Sequence, residues 1–173
     1  GEKGDVARSL LTLSVGFTSS GRIELIAAGA IHGLAALDGP PGGAPALVGD
    51  TLVLRAGGSI TGLVTAVNTM ETVVSTSGLT VAVADVDGVG EMSPGLTLEN
   101  AQAGAGSISI QALNGLTVGT VNVAALGRNL SLTSSNGSLF VRRHEGGNAL
   151  YSGGGITLSA AGDMTVAALL GLG

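Results

Sequence analysis

Along most of this chain apolar and polar residues alternate one by one in runs of four or five, and most runs open on a glycine. Two variants of this phrase recur. The first is Gly, aliphatic, Thr, aliphatic: GLTV at 78–81, GLTL at 95–98, GLTV at 115–118 and GITL at 155–158. The second is Gly, any residue, aliphatic, any residue and usually another aliphatic: GRIEL at 21–25, GSITG at 58–62, GSISI at 106–110, GTVNV at 119–123, GSLFV at 137–141 and GDMTV at 162–166, with GAIHG at 29–33 a weaker copy. A period of two sends alternate side chains to opposite faces, which is the periodicity of a strand and not of a helix. The aliphatics are almost all Ile, Leu and Val, which pack well on a pleated surface. Glycine reaches turn conformations at no steric cost, so each phrase predicts a short strand entered through a turn.

Gly95, Gly115 and Gly155 are separated by one and then two periods of about twenty residues, the length of one coil in many β-solenoids. One such coil cannot bury its aliphatic face, whereas coils stacked at about 4.8 Å close a continuous core. The expected fold is all-β: a right-handed parallel β-helix, or β-solenoid, with coils of about 20 residues and loop insertions. Eight or so coils fit the length, and the handedness follows the general preference of parallel crossovers. The whole of 1–173 reads as one solenoid segment of a longer chain, irregular over about 1–50 and regular over about 51–169. Residues 35–50 hold three of the four prolines and read as a loop, because proline cannot donate to a ladder. Residues 142–154, RRHEGGNALYSGG, read as a second insertion, and 64–78 as an additional strand pair. Almost no helix is expected, since each interior glycine costs a helix about 1 kcal/mol.

Composition narrows the picture. With 31 glycines, 2% aromatic and 11% charged residues, few conventional globular cores are possible, yet 45% hydrophobic content is ample for a stacked one. A net charge of −5, with Lys3 the single lysine, provides no basic stripe for nucleic acid. Cysteine is absent, which excludes disulfides, thiolate metal sites and a cysteine nucleophile. No window of eighteen uninterrupted apolar residues is present, so no membrane-spanning helix is expected. The opening GEKGDVARS lacks the apolar centre of a signal peptide and the end, MTVAALLGLG at 164–173, stops within an apolar run; both ends read as cuts in a longer chain.

Candidate chemistry is sparse. In DVDGVGE at 85–91, Asp85, Asp87 and Glu91 can offer oxygens to calcium, but the ion usually takes six to eight, and an Asp-Gly turn is the simpler reading. His32 and His144 have no partner at ligand spacing. Arg142, Arg143 and Glu145 form a charged knob suited either to an anion or simply to water. Glycosidase and lyase sites need paired carboxylates, and beyond Glu91 only Glu99, Glu145 and Asp163 remain, well apart along the chain. Phe17, Phe140 and Tyr151 are the only aromatics for stacking on sugar. The sequons at Asn129 and Asn136 matter only where a glycosylating enzyme acts. The expectation is a protein that is not an enzyme, with no catalytic, cofactor-binding or metal residue assigned and no cofactor.

The phrases GGITLSAAGDMTVAAL at 154–169 and GRNLSLTSSNGSLFV at 127–141 resemble the repeats of filamentous-haemagglutinin-type exoproteins of two-partner secretion, and the resemblance covers most of 50–169. It implies a β-helical shaft, export across a Gram-negative envelope to the cell surface or beyond, and a role in adhesion, matrix or filament building. The Asn-Pro motifs of that family's secretion domain are not in this chain. Expected partners are other copies of the chain, laterally or end to end, and a host or matrix glycan or protein. Outward positions Thr80, Ala82, Ala84 and Val86 are apolar enough to suggest lateral packing. A polysaccharide-binding or polysaccharide-cleaving β-helix is the alternative.

Overall fold

The computed structural model describes residues 11–13, 17–33, 45–86, 95–167 and 170–172. Within them the chain is all-β, with no helix, and its sixteen strands pair only in parallel, each strand lying beside one from the preceding or following level. Two rows result. The first holds β1 (Leu11–Leu13), β4 (Ile31–Gly33), the start of β6 (Ile60–Ser75), β7 (Thr80–Asp85), β9 (Ser107–Ala112), β11 (Leu130–Ser134) and β14 (Ile156–Ala160). The second holds β2 (Phe17–Thr18), β3 (Arg22–Ala27), β5 (Leu47–Ala56), the remainder of β6, β8 (Leu96–Ala103), β10 (Leu116–Val123), β12 (Leu139–Val141) with β13 (Leu150–Ser152), and β15 (Met164–Val166) with β16 (Leu170–Leu172). The first row stacks seven strands, so the described chain passes through seven levels of a solenoid-like stack.

The alternation seen in the sequence is the reason for the stack. Along β9 and β11 the aliphatics Ile108, Ile110, Leu130 and Leu132 are buried while the residues between them face out. In-register pairing aligns these into columns: Val81, Ile108, Leu130 and Ile156 form one, and Leu98, Val118 and Val141 another. Each fully buried aliphatic contributes about 1.5–3 kcal/mol relative to exposure, and no level could gain that alone.

Serine and asparagine stitch the turns between levels. Ser59, Ser107 and Ser138 each accept, through Oγ, a backbone N–H from the next level: those of Thr80 (3.3 Å), Asn129 (3.0 Å) and Asp163 (3.1 Å). Asn129 Oδ1 continues the series by accepting the Gly155 N–H at 2.8 Å. Inward serines at strand ends do the reverse, Ser75 donating to the Gly58 carbonyl, Ser134 to that of Asn114 and Ser152 to that of Arg128.

Several expectations change. The spacing between stacked partners is not a uniform twenty: Leu47 pairs with Thr65, eighteen residues on, Leu96 with Leu116, twenty on, and Val121 with Leu150, twenty-nine on. Loops inserted between rows absorb the difference. Ladders start well before residue 51, because Arg22–Ala27 pairs in register with Thr51–Ala56. Of the 35–50 loop, residues 35–44 lie outside the described residues, and Leu47–Asp50 is strand. Within 142–154 only 142–149 is an excursion, and Leu150–Ser152 rejoins the second row. The strand pair expected at 64–78 is one sixteen-residue strand, β6, which passes from the first row into the second without a break.

The copies of the glycine phrase are not structurally equivalent either. GLTL at 95–98 and GLTV at 115–118 stack on each other in the second row, but GLTV at 78–81 and GITL at 155–158 open first-row strands. Both rows need the same in-and-out alternation, so sequence likeness does not separate them. Gly119, read as a turn between two phrases, sits inside β10. A Cβ there would lie 2.4 Å from the Glu99 carbonyl oxygen, so the position requires glycine for close backbone approach.

Candidate functional site

Asp85 ends β7 and points inward, 4% exposed. Its Oδ1 accepts the hydroxyl of buried Thr65 at 2.7 Å and the backbone N–H of Val67 at 3.1 Å. Burial of a carboxylate is costly without such donors, and here the level beneath supplies them. Through these two bonds Asp85 braces β6 from the level above. Asp87 and Glu91, its suggested calcium co-ligands, lie outside the described residues. Among the described residues no three His, Cys, Asp or Glu side chains gather closely enough to hold a metal ion.

His32 faces outward on β4 and its Nδ1 lies 2.9 Å from Oγ1 of Thr61, its register partner one level up. A ring nitrogen and a hydroxyl at that distance form a local bond across the ladder. Arg142 leaves the knob in which it was placed. Its Nη1 donates to both oxygens of Glu99, at 2.9 and 3.0 Å. Because Glu99, Gly119 and Arg142 follow one another up the stack, the arginine spans two levels over the glycine between them. Arg22 makes a similar reach past Thr51 to Glu71, which sits where the β5–β6 register slips. Neither pair was legible from sequence, since the partners are 43 and 49 residues apart. The stitching serines did leave a trace: GS recurs at 58–59, 106–107 and 137–138, and each serine has the same task.

Arg143, His144 and Glu145 remain exposed. With Gly146, Gly147, Val166 and Ala167 they border an open notch of about 880 Å³ between the 142–149 excursion and β15. Its lining is exposed throughout, so it can admit a polar chain or an anion but excludes no water. Phe140 faces out beside it along the strand, 40% exposed, and interrupts a column of threonines at 51, 69, 97, 117 and 165. Of the two sequon asparagines, Asn129 spends its side-chain oxygen on the turn, and Asn136 is exposed. Glu145 and Asp163 are exposed and Glu99 is bound to Arg142. No helix among the described residues is long and apolar enough to cross a membrane. A scan against protein-family models finds none that matches, and searches of curated proteins and of solved structures return no significant match.

Proposed function

We propose that this chain is a non-catalytic shaft: a right-handed parallel β-helix that forms part of a rod or filament of a secreted or cell-surface protein, with a structural or adhesive role. One observation carries the reading. Seven levels stack on aliphatic columns, in register but for a slip on either side of β6, while polar side chains inside are spent on bracing the levels, as with Asp85 and Ser152. Right-handedness follows from the strong general preference of parallel crossovers. Export to a Gram-negative surface rests on the resemblance of the 127–141 and 154–169 phrases to exoprotein repeats and fits the absence of cysteine. The test is protease treatment of intact source cells followed by antibody detection of this segment. Its loss from unbroken cells is the expected result, and its persistence until lysis overturns the surface assignment.

A polysaccharide-binding reading draws on Phe140, the exposed aromatic set between Thr117 and Thr165 and two residues from Arg142. Phe140→Ala abolishing retention on an immobilised polysaccharide would favour it over a passive shaft.

A further inference from the structure

The outside of the stack is divided by charge. Outward positions of the second row carry both ion pairs, along with exposed Glu24 and Arg55. The outside of the first row, from β7 through β9 and β11 to β14, has no charged residue at all. One column there runs Ala82, Ser109, Ser131, Thr157, and its companion two residues further along each strand is equally uncharged. Within the described residues the hydroxyls of Ser109, Ser131 and Thr157 bond to no other protein group. Beneath them, small residues at Gly62, Ala82 and Ala84 leave a shallow depression of about 180 Å³.

We propose that this first-row face is the lateral contact between two copies of the chain. The proposal rests on the rod reading and names the surface through which rods associate. Each copy carries a charge of −5, so two copies meet at least cost through a face free of charge. Small side chains let two flat sheets approach closely, and both present hydroxyls at one spacing of about 4.8 Å, so levels can match level for level. A sugar partner would want an aromatic platform, and none stands on this face. Four levels of five residues make a patch on the order of 300 Å². That is well below the roughly 800 Å² per partner of a stable interface, so one segment associates weakly and the contact strengthens with the number of levels.

Sedimentation velocity of the whole 173-residue chain, from micromolar to millimolar, tests this. The expected result is a reversible dimer that tightens as salt screens the repulsion between copies. Ser131→Glu combined with Thr157→Glu should weaken it at least about tenfold, because like charges then face each other. Gln102→Glu combined with Asn122→Glu, the same two added charges on register partners on the outside of the second row, should leave it unchanged. A monomer at all concentrations, equal weakening by both variants, or dissociation by salt would each overturn the proposal, as would a strictly monomeric chain that bound a neutral polysaccharide through Ser131. Amide exchange on the same samples separates the two readings: protected ladders in a monomer remove only the interface, whereas unprotected ladders remove the rod itself.

Discussion

At the scale of single residues, glycine has two different jobs here, and substitution separates them. Gly119 lies directly above the Glu99 backbone, where a Cβ would meet the carbonyl oxygen at 2.4 Å and the carbonyl carbon at 3.2 Å. Backbone cannot swing aside as a side-chain tip can, so Gly119→Ala should cost about 1–3 kcal/mol in urea unfolding. At Gly115 the nearest atom to a new Cβ is the Ser138 carbonyl oxygen, 3.8 Å away, and φ is not positive. Gly115→Ala should therefore be neutral or stabilise by up to about 1 kcal/mol, through a less flexible unfolded chain. Asp85 offers a second contrast. Asp85→Ala strands the Thr65 hydroxyl and the Val67 N–H in the core, a loss of about 1–3 kcal/mol, whereas Asp85→Asn keeps an acceptor in place and should lose less.

At the scale of elements, the Arg142–Glu99 pair ties β8 to the level two above it, yet both side chains are more than 40% exposed. A double-mutant cycle with Arg142→Ala and Glu99→Ala should give a coupling of no more than about 1 kcal/mol, diminished by salt. A larger, salt-resistant coupling would show that the pair is a true clamp. The strands themselves were legible because their physics is local: every glycine phrase, from GAIHG at 29–33 to GDMTV at 162–166, falls on or opens a strand. Alternation fixes which side chains go inward in any row, and for that reason it could not assign a phrase to a row, nor tell the internal Gly119 from a turn glycine. Pairings such as Glu99 with Arg142 depend on how many residues the intervening loops absorb, which no local pattern encodes. The turn-stitching function of Ser59, Ser107 and Ser138 was present in the recurring GS but needs the neighbouring level to acquire meaning.

At the scale of the whole molecule, each level packs against the levels above and below it, and only the two exposed ion pairs reach one level further, so stability is close to a sum over neighbours. Burial is uneven along the stack: Met164 and Val166 occupy core-facing positions in register with Leu139 and Val141, yet they are 46% and 38% exposed where those two are buried. Amide exchange should accordingly be slowest in β6, β8 and β10 and fastest in β14 and β15, and uniform protection along the stack would contradict a neighbour-by-neighbour architecture. The equivalence of Leu96 and Leu116 in the second row has a genetic consequence. Excising residues 96–115 joins Gly95 to Leu116, preserves a GLTV phrase and brings Val81 opposite Leu130, one inward aliphatic for another. Such a deletion should still fold, with a smaller denaturant dependence in proportion to the surface removed. Gain or loss of a whole coil between like phrases can thus change the height of the stack by one level while the inward aliphatic columns stay matched.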